Sequence, residues 1–172
     1  LGYARQRIPH ATFYQMDARA IPFRDEFAVV GAFDVLEHIE EDQAVLRQMY
    51  QAVRPGGGIM LTVPQHPALW SEVDVYSRHV RRYTARELVD KVRAAGFQVA
   101  RVTSFVSILL PLMYLSRKTR GDSSEDLDIA REFRIGKTAN ALLEQCLLAE
   151  QALIRLGTSL PAGGSLLVAG YK

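Results

Sequence analysis

Histidine is the residue type whose charge changes near neutral pH, so it suits taking a proton from a hydroxyl nucleophile. The chain offers His38 and His79 for that role, each within a stretch rich in charged residues. Each also has a plainer reading as a packed or surface-paired ring. Asp17 and Asp34 stand beside apolar runs and either cap a turn or present a carboxylate to a ligand. Arg78, Arg81, Arg82 and Arg86 form a basic cluster, and Arg117, Lys118 and Arg120 form another. Both read as solvated faces or as contacts to an anionic substrate or membrane surface. Cys146 is the single cysteine, which excludes an internal disulfide and a cysteine metal site. It lies in the apolar helical pattern of Leu142, Leu143 and Leu147 and reads as a packed thiol. No metal is expected.

Those residues need elements to hold them. Phe27–Phe33 is nearly all apolar, as in a strand covered on both faces. Ile59–Val63, Phe97–Thr103 and Ser165–Gly170 are further strand candidates, and Ala11–Gln15 is a short one. Leu1–Arg7 reads as the tail of a helix stopped by Ile8-Pro9. Val45, Leu46, Met49, Tyr50 and Val53 recur at helical spacing. Thr84 with Glu87 makes a capping box for a helix that ends at Gly96. Ala139–Leu156 is a Leu- and Ala-rich helix. Gly56-Gly57-Gly58 lacks the helix that follows a phosphate loop and reads as a tight turn before a strand. Alternating strands and helices predict an α/β fold with an open parallel sheet, whose ligands sit beyond the carboxyl ends of the strands. Asp17, residues 33–38 and residues 64–70 fall there.

Composition bounds the function class. The chain has 172 residues, 48% of them hydrophobic and 23% charged, with a net charge of +2 and a pI near 8.8. That is an ordinary globular balance, long enough for one domain and too mild in charge to argue for nucleic acid. The apolar stretch 105–115 is about half of what a membrane span needs. With Arg117 and Lys118 beyond it, it reads as helical core or as contact with a lipid-like substrate or membrane surface. A single thiol fits a cytoplasmic setting.

Three stretches in order resemble class I S-adenosylmethionine-dependent methyltransferases of the small-molecule type, similar to the ubiquinone-biosynthesis group. Phe13–Phe23, containing Met16-Asp17-Ala18, resembles the segment after that family's third strand. Phe27–Ile39, ending Phe33-Asp34-Val35-Leu36-Glu37-His38-Ile39, resembles its fourth strand and the following loop. Leu46–Pro64, with Arg54-Pro55-Gly56-Gly57-Gly58, resembles the helix, turn and fifth strand. The resemblance covers residues 1–105 and the final strand. It implies a Rossmann-like sheet with flanking helices and S-adenosylmethionine as cofactor. It implies that Asp17 accepts from the adenine amino group with Ala18 beside it. It also implies that Phe33 and Asp34 line the methionine end and that Leu36 and His38 face the cavity. The segment after the fifth strand resembles a variable substrate loop. His38, His66, Trp70, His79, Arg82 and Tyr83 are the resulting acceptor contacts, with His38 and His79 as bases. The acceptor is a small molecule, lipid-like or hydroxyl-bearing.

The family's glycine-rich turn and the acidic end of its second strand are not in this sequence. The expectation is one partial domain over residues 1–172, with a helical cap over 105–160 before the last strand. Half of the cofactor's cradle would then lie outside the chain, and Ala11–Gln15 would lack a neighbouring strand. Pairing with a second copy, rearrangement, or looseness of residues 1–20 would answer that. The alternative function is a fold-derived binding module without catalysis.

Overall fold

The computed structural model describes residues 2–119 and 136–172. Its elements run α1 (Gly2–Arg7), β1 (Phe27–Phe33), α2 (Asp42–Ala52), β2 (Val53–Pro64), α3 (Glu72–Tyr76), α4 (Ala85–Ala94), β3 (Gln98–Phe105), α5 (Leu110–Thr119), α6 (Lys137–Arg155) and β4 (Ser165–Tyr171). The polar stretch 120–128, and with it Arg120, lies outside the described residues, as do the side chains of Arg117 and Lys118.

The four strands form one sheet in the order β1-β2-β4-β3. β1 and β2 are parallel, whereas β4 is antiparallel to both β2 and β3. The expected all-parallel sheet is therefore corrected at its last strand. The chain enters β4 at the end where β2 leaves. Gln65 donates its backbone N–H to Gly164 O at 3.0 Å, and Ser165 pairs with Pro64. A strand entering there can only run back along its neighbours.

Helices α2 and α4 cover one face of the sheet. Leu46, Met49, Leu88 and Val92 from those helices meet Leu61 and Val168 in the core, each at most 2% exposed. Thr84 caps α4 by accepting from Glu87 N–H at 3.2 Å. Gly96 follows with φ +109°, and a Cβ there would stand 2.8 Å from the Tyr50 ring. Only glycine suits both constraints.

Two strand expectations change. β1 is covered on one face only, because α2 packs under it while Val29 and Phe33 are 63% and 58% exposed. Ala11–Gln15 forms no strand. Backbone becomes a strand by ladder bonds to a neighbour, and among the described residues the only strand paired with β1 is β2. The Arg54–Gly58 turn lies within the span of β2 as an irregularity, since Phe27 pairs with Val53 but Val29 with Gly58.

Helices α5 and α6 precede β4. Glu150 on α6 is 2% exposed, and its carboxylate accepts the backbone N–H groups of Val106, Ser107 and Ile108 at 2.5, 2.6 and 3.0 Å. This fastens α6 to the turn leaving β3, where Val106 has φ +59°. Glu150→Ala strands three donors and is expected to cost about 2–3 kcal/mol in urea unfolding, with Glu150→Gln losing about half of that. Among the described residues no helix is long and apolar enough to cross a membrane.

Candidate functional site

The carboxyl ends of β1 and β2 lie side by side, and the chain turns sharply after each. Past β1, Asp34 adopts φ +52°, a region that suits aspartate better than branched residues. Its N–H donates to Thr62 O at 3.0 Å, and the Thr62 hydroxyl donates to Asp34 Oδ1 at 3.3 Å. A single 3₁₀ turn, Leu36–His38, follows. Past β2, His66 at φ +62° starts a second such turn, Pro67–Leu69, and the loop returns through α3 to His79.

Within the first turn, Leu36 and Glu37 are fully buried while the His38 side chain is 40% exposed. Neither carboxylate oxygen of Glu37 has a hydrogen-bond partner among the described residues. Burial, above all, pushes the Glu37 pKa up, and the nearby Asp34 charge adds to this. The folded state thus holds a proton on Glu37 more tightly than the unfolded chain does. Its contribution favours folding in acid and turns into a cost as pH rises. Glu37→Gln, which carries no charge, is expected to raise the unfolding free energy by about 1–3 kcal/mol at neutral pH. The gain should vanish towards about pH 4, as urea unfolding across that range would read.

The second loop turns on Asp74, 1% exposed. Its Oδ1 accepts from His79 Nδ1 at 2.9 Å and from Arg82 Nε at 2.8 Å, and Oδ2 accepts the Ser71 N–H at 2.8 Å. Burial alone would raise the Asp74 pKa, but the Arg82 and His79 hydrogen bonds outweigh it and hold the group below its ordinary value. Because an ionised carboxylate only accepts, Nδ1 of His79 carries the hydrogen of that bond, and in the neutral ring Nε2 is then the nitrogen with the lone pair. The His79 ring meets the His38 ring edge to face, with centroids 4.8 Å apart. Glu37, His38 and His79 each bring one ligand atom within 4.8 Å of the others.

His38 also lines an open cavity of about 520 Å³, together with Asp17, Arg19, Ile39, Glu41 and Val80. That volume lies in the usual range for a small-molecule site. Asp17 stands at its rim with a pKa lowered to about 2 by side-chain and backbone hydrogen bonds from Arg19. Arg19 also reaches Glu41 at 3.1 Å. Ala18 packs against the edge of the core.

The remaining candidates divide by burial. Tyr83 is fully buried, its hydroxyl donating to Asp42 Oδ2 at 2.7 Å, and it sits in the core with Leu36. Neither presents a surface to a ligand. Arg82 is 8% exposed and committed to Asp74 and to Gln65 O. Phe33 and Trp70 are exposed, the latter by 41%. His66 Nε2 is buried without a partner among the described residues, and burial lowers the His66 pKa, helped by the Arg82 charge. The His66 ring lies 6.3 Å from that of Tyr114 on α5. Sequence reasoning did not select Glu37, and it offered Asp74 only as an arginine partner in a packed loop, the pairing that Arg82 makes. Glu37 stands in the quoted loop motif, but only its burial marks it out.

A family model described as a methyltransferase domain matches residues 3–102. This chain belongs to the methyltransferase-domain family. Its match takes in β1, β2 and the loops that carry His38, Asp74 and His79. The chain is 24% identical over 102 residues to a probable S-adenosylmethionine-dependent methyltransferase of Mycolicibacterium smegmatis, covering 58% of this chain and 40% of that protein. It is 28% identical over 83 residues to the demethylmenaquinone methyltransferase of Streptomyces griseus, covering 48% of this chain and 36% of that one. The chain thus spans less than half the length of these curated relatives. An S-adenosylmethionine-dependent methyltransferase structure from Mesorhizobium loti superimposes with a TM-score of 0.57 at 17% identity, covering 99% of this chain and 75% of that one. The Rossmann-like methyltransferase fold is therefore that of this chain.

Proposed function

We propose that this methyltransferase-family domain takes part in S-adenosylmethionine-dependent methyl transfer to a hydroxyl on a small, largely apolar acceptor. The observation that carries the reading is the polar cavity shared by Asp17 and His38, with the Asp74–His79 pair behind His38. The residues fit the cofactor at this end. Asp17 is ionised and exposed, able to accept from an amino group alongside Arg19. Asp17, Ala18, Phe33 and Asp34 would hold it, with Leu36 fixing the turn from the core. When bound, the cofactor supplies a methyl group already activated on a sulfonium.

The chain's own residues supply orientation and a proton acceptor. Asp74 holds His79 so that Nε2 points away from the carboxylate and takes the acceptor's hydroxyl proton. His38, half exposed between that ring and the cavity, orients the hydroxyl. The apolar side chains Leu112 and Tyr114 of α5 are 56% and 41% exposed, and Tyr114 lies beside His66. Together with Trp70 they favour a lipid-like acceptor over a charged one, met in the cytoplasm or at a membrane surface.

The test is methyl transfer to a panel of apolar hydroxyl compounds, followed as release of S-adenosylhomocysteine. His79→Ala is expected to lower kcat about 10²–10⁴-fold with little change in KM, as loss of a general base does. Equal turnover in the variant and the parent chain would remove His79 from the chemistry.

A further inference from the structure

The fully buried Glu37 carboxylate has no hydrogen-bond partner for either oxygen among the described residues. Buried carboxylates are ordinarily paired or bound to a metal, because leaving one unmet is costly. Two imidazoles face it. His38 Nε2 stands 4.0 Å from Glu37 Oε1, and the His79 ring packs against that of His38.

We propose that Glu37, His38 and His79 form a binding site for a divalent transition-metal cation of zinc type. Two imidazoles and one carboxylate are a donor set that zinc accepts, leaving a fourth position open. Asp74 supports the assignment independently. It takes the Nδ1 hydrogen of His79, which fixes the tautomer whose Nε2 lone pair is free to ligate. The ligand atoms lie within 4.8 Å of one another, and tetrahedral coordination brings such atoms to about 3.4 Å. His38 is the ligand able to close that gap, because its side chain is 40% exposed on a single turn.

Of the three ligands, His38 also lines the cavity that Asp17 borders. An acceptor hydroxyl bound at the open position would lose its proton to solvent, the cation lowering its pKa. Cation and proton compete for His79 Nε2, so the metal-bound state replaces the imidazole base of the proposed function. The inference uses the same cluster as that function but does not rest on methyl transfer, since binding is read without cofactor or acceptor.

Titration of the full chain with Co²⁺ tests it. The expected result is the intense visible absorption of four-coordinate cobalt, saturating at one cation per chain and displaced by Zn²⁺. Glu37→Gln and His38→Ala should each abolish it while far-ultraviolet circular dichroism stays that of the parent. Asp74→Asn should weaken binding about 10–100-fold. His10→Ala, remote in sequence and exposed, should leave the absorption unchanged. No such absorption, or absorption that survives in both folded variants, would overturn the site. Neither result bears on whether S-adenosylhomocysteine binds, so the two readings fail separately.

Discussion

Replacing Asp42 by alanine is expected to lower the unfolding free energy by about 3–5 kcal/mol, the scale for breaking a buried charge network by removing one partner. Asp42 is 3% exposed, at the start of α2. Its Oδ2 accepts from the Tyr83 hydroxyl at 2.7 Å, Arg81 at 3.0 Å and Lys91 at 2.5 Å. One oxygen thus ties α2, α4 and the loop returning from β2. Alanine leaves the Tyr83 hydroxyl with only a 3.3 Å contact to Leu36 O, and leaves two half-buried cations without their shared partner. Burial by itself would raise the Asp42 pKa, but hydrogen bonds from Lys91 and Tyr83 outweigh it and the net shift is downward. A carboxylate whose folded pKa lies below its unfolded value stabilises the fold above about pH 4. That stabilisation disappears as pH falls through the folded value. Urea unfolding at neutral pH and at about pH 3 should therefore show a gap between parent and Asp42→Ala that narrows in acid.

Asp74→Asn is expected to act on stability and chemistry together. The Arg82 guanidinium, 8% exposed, loses its counter-charge, and the unfolding free energy should fall by about 3 kcal/mol. His79 loses the acceptor that fixes its tautomer, because an amide can donate to Nδ1 as readily as it accepts from it. Turnover should then drop about tenfold to a hundredfold, with substrate affinity little changed, because the base is mis-set rather than absent. Asp42→Asn separates the two effects. It should lose stability without a comparable loss of turnover per folded molecule, because Asp42 bonds neither His38 nor His79.

The framework of this fold is readable in the chain because its signals are local. Phe27–Phe33 is a continuous apolar run, Thr84 and Glu87 stand at capping distance, and Gly96 occupies a left-handed position that few residues tolerate. The direction of β4 is not local. It follows from where the chain re-enters the sheet beside Pro64 and Gln65. Ala11–Gln15 has strand-forming residues, yet ladder bonds need a neighbour, and among the described residues β1 pairs only with β2.

The site divides in the same way. His38 and His79 stand out by residue type, and the fold brings their rings together from stretches 41 residues apart. Asp74 is one of several acids near four arginines, and only the path of the loop through α3 decides that it meets Arg82 and His79. Tyr83 and Leu36 lie at the right chain positions for ligand contact, but the same positions face the core. Nothing in a residue's type separates a tyrosine that binds a ligand from one that bridges Asp42 to Leu36.

The most direct test of the central claim is calorimetric titration of this chain with S-adenosylhomocysteine, the product form of the cofactor. The account predicts saturable binding, weakened about 10–100-fold in Asp17→Ala through loss of a charge-assisted hydrogen bond. A folded chain that takes up no ligand, or that binds equally well without the Asp17 carboxylate, would contradict the placement of the cofactor in the cavity shared by Asp17 and His38.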